Sequence, residues 1–109
     1  MTAAPTPGAL IRSTARTIAR RTAARHQPIH ALGSVVAMVD ADEDELAFDD
    51  LVRILDHHRI PILQPEYDQL VSAATLLGEL EWLAEMDIDR LLEPRHDEEP
   101  GSAPETSSR

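Results

Sequence analysis

The segment from Pro65 to Met86 constrains the fold of this chain more than any other part of the sequence. It is the longest helix-compatible stretch, about six turns at 3.6 residues per turn. Its polar positions form one narrow ridge, made by Asp68, Ser72, Thr75 and Glu79. A helix that packs from one side needs an apolar stripe of about 100°, and the remaining arc here is more than twice that width. We therefore predict a single helix over 65–86 that needs neighbours on at least two sides.

The same apolar arc predicts a contact surface. A compact body over residues 30–93 is small, and a body of that size buries only about 60% of its unfolded surface. The chain has no cysteine, so disulfides cannot supply the missing stability, whereas association with a second copy or another protein can. The candidate interface residues are Leu70, Leu77, Leu80, Trp82 and Leu83.

The charges are strongly segregated along the sequence. Residues 1–39 carry five arginines and no acid, whereas the rest of the chain carries all 20 acidic residues, and the net charge is −10. We predict a basic N-terminal helix or arm over residues 9–27. Its candidate contacts with nucleic acid or an acidic partner are Arg12, Arg16, Arg20, Arg21 and Arg25. The opposite apolar strip is thin, with Ile11 and Ile18 as its only large side chains, so we expect this helix to be weakly anchored.

Three interpretations of the basic helix stay open at this point. It could contact nucleic-acid phosphates without reading the base sequence, because it has no interleaved aromatic residues. Its Arg-, Ala- and Ser/Thr-rich composition is also typical of an organellar presequence over residues 1–27. The third interpretation is that it docks on the acidic body or on an acidic partner.

The remaining body favours an all-α fold of three to four helices with disordered termini, at residues 1–8 and in the acidic tail 94–109. Residues 45–58 show a clear amphipathic helical pattern. Residues 30–39 match either a helical stripe or a short buried strand, and the pattern does not decide between them. If 34–39 and 60–63 were strands, helix 45–58 would join them in a small α/β unit of the βαβ type. That is the alternative fold.

The acidic segment that starts at Asp40, DADEDELAFDDL, resembles the calcium-binding loop of an EF-hand. The resemblance implies oxygen ligands at alternate positions and a helix on each side. The segment departs from the motif because Glu45 replaces the central glycine, and because the last carboxylate is an aspartate, Asp50, one position early. The alternative interpretation is an acidic loop whose negative charge stabilises the N-terminus of the following helix.

The sequence contains no feature that predicts catalysis. It has no cysteine nucleophile, no glycine-rich phosphate loop and no G-x-S-x-G turn. We expect no enzymatic activity, no cofactor and no metal site. No apolar run is long enough to predict a membrane span, and we expect a cytoplasmic protein, or an organellar one if residues 1–27 are a presequence.

These patterns together predict a small non-catalytic protein that acts through protein–protein interaction or in regulation, as a homodimer or as a subunit of a larger assembly. The alternatives are a nucleic-acid-associated protein that uses the arginine-rich helix, and a cation-responsive module related to the EF-hand.

Overall fold

The computed structural model describes residues 5–93, and these residues form five α-helices followed by one short 3₁₀ helix. The helices are α1 (Pro7–Ala24), α2 (Ala31–Asp40), α3 (Asp44–His58), α4 (Gln64–Leu77) and α5 (Leu80–Met86), and the 3₁₀ helix spans Ile88–Leu91. The chain termini that we expected to be disordered, residues 1–4 and 94–109, lie outside the described residues.

Helix α1 begins two residues earlier than the sequence predicts. The Thr6 side chain accepts a hydrogen bond from the Ala9 N–H at 3.1 Å, and Pro7 occupies the first turn, where its missing N–H removes no helical bond. Pro7 and Gly8 are therefore helical rather than disordered. Helix α2 covers the segment for which the sequence pattern did not decide between a helix and a strand.

The thin apolar strip of α1 is fully buried, which corrects our expectation of a weakly anchored helix. Ile11, Ala15 and Ile18 are 0% exposed, because α1 lies between α2 and α4 and its strip is covered from both sides. Thr14, also buried, donates a hydrogen bond from Oγ1 to Oε1 of Gln69 on α4 at 2.6 Å. Two isoleucines are sufficient because neighbouring helices cover both flanks of the strip.

A partly buried ion pair fixes α1 against the start of α4. The Arg21 guanidinium contacts both carboxylate oxygens of Glu66, at 2.5 Å and 2.9 Å, and it also donates to the Pro61 carbonyl at 2.8 Å. Glu66 Oε1 accepts a further hydrogen bond from the Leu63 N–H at 2.9 Å. The hydrogen bond with Glu66 raises the pKa of Arg21 above its ordinary value. Because both charges have several partners, the cost of burying them is offset.

The fold is all-α, and the βαβ alternative is wrong. Residues 34–39 lie inside α2, and Ile62 forms only an isolated parallel bridge with Leu92. The Ile62 N–H donates to the Leu91 carbonyl at 3.0 Å, and the Glu93 N–H donates to the Ile62 carbonyl at 2.8 Å. Within residues 5–93, no helix has the length and apolar character needed to cross a membrane.

The predicted long helix is divided in two at Gly78. This residue has a φ of 72°, which a glycine adopts without the penalty that a Cβ would bring. The Glu79 N–H donates to the Ala74 carbonyl at 2.8 Å, and the Gly78 N–H donates to the Thr75 carbonyl at 3.3 Å, as in a Schellman motif. The break lets α5 turn onto α3 and raises the helix count above the three to four predicted.

We expect Ile18→Ala to lower the free energy of unfolding by about 2–5 kcal/mol, because it leaves a cavity in a fully buried position. Chemical denaturation followed by circular dichroism measures the change. Ser13→Ala, at an exposed position of the same helix, is the matched control and should change stability by no more than about 0.5 kcal/mol. Equal stability of Ile18→Ala and the unmodified protein would contradict the packed position of α1.

Candidate interaction surfaces

The predicted interface residues divide between the core and the surface. Leu70 and Leu83 are only 1% and 3% exposed and belong to the hydrophobic core, so a partner cannot reach them. Leu77 and Trp82 are partly buried and pack against that core. Leu80 is 47% exposed. Only the outer part of the predicted interface is therefore available for contact.

Two further leucines are exposed on the two helices that pack against α5. Leu76, at the end of α4, is 56% exposed, and Leu46, in the first turn of α3, is 58% exposed. Leu76 and Leu80 flank the turn at Gly78. The contact between Glu79 and α3 brings the start of α5 beside the first turns of α3, where Leu46 lies. We call Leu46, Leu76 and Leu80 the leucine patch.

Carboxylates surround the leucine patch, and one of them is protonated more easily than usual. Burial, followed by the charge and hydrogen bond of Asp49 and the charge of Glu45, raises the pKa of Glu79 above its ordinary value. Two ionised carboxylates cannot hydrogen-bond to each other because both are acceptors, so a proton on Glu79 makes its bond with Asp49 possible. Oδ1 of Asp49 is buried and has no hydrogen-bond partner within residues 5–93.

Trp82 holds α5 on α3 beside this patch. Its ring packs edge-on against Phe48, with centroids 6.1 Å apart, and the Arg53 guanidinium lies 5.9 Å from its centroid. Such aromatic and cation–π contacts each contribute on the order of 1 kcal/mol. Leu80 is therefore presented on a helix that is fixed against α3 rather than on a loop.

The five candidate arginines of α1 fall into two separate places. Arg12, Arg16 and Arg20 line one shallow groove, which we call the arginine groove. Arg12 is already paired with Asp40 of α2. Arg16 and Arg20 are exposed, and no carboxylate within residues 5–93 lies within 4 Å of either side chain.

Arg21 and Arg25 lie on another side of α1, where they line a cleft near the end of α3. Arg21 is occupied by Glu66, and Arg25 is exposed. Arg59 lines the same cleft and was missed by the sequence analysis. No local pattern connects Arg25 to Arg59, because only the packing of the helices brings them together.

The acidic segment does not form an EF-hand loop. Helix α2 ends at Asp40 and α3 begins at Asp44, so only residues 41–43 separate the two helices, and the second half of the predicted loop is helical. Asp42 makes the tight turn with a φ of 66°. Among residues 5–93, no three His, Asp or Glu side chains are grouped to hold a metal ion.

Comparisons with protein-family models, curated protein sequences and solved structures returned no match for this chain. The chemistry of the surfaces themselves is therefore the basis for assigning a function.

Glu79→Gln should raise the melting temperature at pH 7, because the amide is neutral and can donate to Asp49. The raised pKa of Glu79 means that folding favours its protonated form. This contribution is complete below the ordinary glutamate pKa and is lost as the pH rises through the higher folded value. The stabilisation by Gln should consequently shrink toward zero at about pH 4.

Thermal unfolding of both proteins between pH 4 and pH 8 tests this expectation. Glu81→Gln removes the same charge from an exposed position in the first turn of α5 and is the matched control. An equal gain in both variants would assign the effect to net charge instead of to the contact with Asp49.

Binding of duplex DNA by the arginine groove should be weak and should vanish near physiological salt. Arg16 and Arg20 are the groove arginines without a carboxylate partner within residues 5–93, so two neutralised phosphates give a log–log salt slope of about −2. Fluorescence anisotropy from about 50 mM salt upward measures the slope. Replacing Arg16 and Arg20 with Gln should abolish binding, whereas Arg25→Gln should leave most of it. A slope of about −4 or steeper would show a larger basic surface.

Proposed function

We propose that this chain is a small non-catalytic interaction protein whose contact surface is the leucine patch. The observation that supports the proposal is the exposure of three large apolar side chains, between 47% and 58%, which exceeds the 38% exposure of Leu63, the other exposed leucine within residues 5–93. The three leucines lie on α3, α4 and α5, and α5 packs against both of the other helices. Exposed apolar side chains on helices that pack together are typical of protein contact sites.

The charges around the patch favour a basic partner over a second identical patch. Glu45, Asp49 and Glu79 lie beside it, and Glu81 follows Leu80 directly. If two copies met patch to patch, these carboxylates would face each other and repel. A partner with leucine-like side chains surrounded by Lys or Arg would bury the same leucines and pair the carboxylates. The association with another protein is thus preferred to the symmetric dimer.

The packing of α1 supports its being a permanent part of the fold. Ile11, Ala15 and Ile18 lie in the core, and cleavage of residues 1–27 as a presequence would remove them.

The arginine groove offers a second, weaker candidate function. Arg16 and Arg20 are exposed on a helix that is packed into the fold, and they favour contact with an acidic surface such as a nucleic-acid backbone.

The proposed function predicts a specific charge preference in partner binding. An amphipathic helical peptide built of Leu and Lys should bind the protein, and the same peptide with Glu in place of Lys should not. Leu80→Ser should weaken binding roughly tenfold, or about 1.4 kcal/mol, as expected for a central apolar contact. Isothermal titration calorimetry measures both affinities.

The matched control for this experiment is Leu63→Ser. Leu63 is 38% exposed but precedes the first turn of α4, about 20 Å from Leu76 along that helix. Equal weakening by Leu63→Ser and Leu80→Ser would contradict the patch. A dimer that light scattering detects at tens of micromolar, and that Leu80→Ser dissociates, would show self-association instead.

A further inference from the structure

A cleft of about 320 Å³ lies between the C-terminal end of α1 and the C-terminal end of α3. We call it the basic cleft. Arg25, Arg59, His58 and Gln27 contribute its exposed polar side chains, and Pro28 and Ile60 form part of its apolar wall. The basic cleft is separate from the leucine patch and from the arginine groove, because none of its lining residues belongs to either.

The charge of the basic cleft is opposite to that of the whole chain. No acidic residue among residues 5–93 lines it, although the net charge of the protein is −10. Arg25 and Arg59 are exposed, and neither has a carboxylate within 4 Å among residues 5–93. Arg21, at the inner wall, is neutralised by Glu66, and the negative charge of Glu93 also reaches it. Two guanidinium groups are thus left to bind an anion.

The helix ends at the cleft do not cancel this positive charge. Each helix C-terminus carries a partial charge of about −0.5, whereas each guanidinium carries a full positive charge. The terminal carbonyls are also occupied: the Gln27 N–H donates to the Thr22 carbonyl at 2.8 Å, and the Ile60 N–H donates to the Leu55 carbonyl at 3.1 Å. The arginines therefore determine the sign of the cleft.

The backbone of Arg59 is held in a conformation that costs energy. Its φ is 52°, in the left-handed region, where a residue with a Cβ is less stable than glycine. Gly78 occupies the equivalent position at the end of α4. A guanidinium thus lines the cleft at a position where glycine would give the more stable helix end.

We propose that the basic cleft binds a phosphate monoester of a small organic molecule. The guanidinium groups of Arg25 and Arg59 match the phosphate oxygens in charge and in planar hydrogen-bonding geometry. The apolar wall formed by Pro28 and Ile60 contacts the organic group, and the volume of the cleft is within the range of small-ligand sites. This site is separate from the proposed protein contact at the leucine patch and does not rest on it.

NMR titration of the full-length ¹⁵N-labelled protein with phenyl phosphate, at constant ionic strength, tests the proposal. We expect saturable shifts at the amides of Gln27, Arg59 and Ile60. Arg25→Gln and Arg59→Gly should each raise the Kd about tenfold or more, because each removes a charge-assisted hydrogen bond. Arg59→Gly keeps the left-handed turn without its Cβ, so a higher melting temperature would show that the weaker binding is not caused by unfolding.

The control variant is Arg16→Gln, which removes the same charge from the arginine groove and should leave the Kd within a factor of two. Equal weakening by Arg16→Gln would overturn the proposal, since binding would then follow net charge. Shifts no larger than those caused by sodium chloride would overturn it as well. Equal affinity for phenyl phosphate and inorganic phosphate would support the two arginines but overturn the contact with the organic group. Tighter binding of a single-stranded oligonucleotide than of phenyl phosphate would assign the cleft to nucleic acid and overturn the small-molecule ligand.

Discussion

The partly buried ion pair between Arg21 and Glu66 is the contact on which the arrangement of the helices depends. It joins α1 to the first turn of α4 and also holds the Pro61 carbonyl of the preceding connection. Without Arg21, the buried Glu66 carboxylate would lose its cation, which would cost several kcal/mol. With α1 fixed in this way, Ile11 and Ile18 are covered from both sides. The inner wall of the basic cleft is set by the same arginine.

Charges of one sign predominate on each of the surfaces described above. Arg16 and Arg20 lie in the arginine groove and Arg25 and Arg59 in the basic cleft, whereas carboxylates collect where α5 meets α3, with Arg53 beside them. Leucines accompany the carboxylates, and Pro28 and Ile60 accompany the arginines of the basic cleft. An apolar contact combined with a predominant sign of charge favours selective binding over nonspecific adhesion.

Much of the helical architecture could be predicted from local periodicity, and the rest depends on contacts between distant residues. The amphipathic pattern of residues 45–58 matches α3 to within one residue, because half-buried helices show their packing in their own sequence. The break at Gly78 was missed because the apolar arc continues across it, although a glycine after two leucines is a helix-stop signal. Packing between distant residues produces the burial of α1, the pairing of Arg21 with Glu66 and the shared cleft of Arg25 and Arg59. Local sequence patterns do not record such packing.

The position of α1 between α2 and α4 has a consequence for how the protein is made. Arg21 emerges from the ribosome 45 residues before Glu66. At a synthesis rate of about 5–20 residues per second, Glu66 of α4 is added roughly 2–9 s after Arg21 of α1. During that time the apolar strip of α1 faces water or other proteins. A strip with only two isoleucines exposes little apolar area in the nascent chain. The five arginines between positions 12 and 25 keep the same segment soluble. The thin apolar strip of α1 thus suits a helix that is synthesised well before α4, against which it packs.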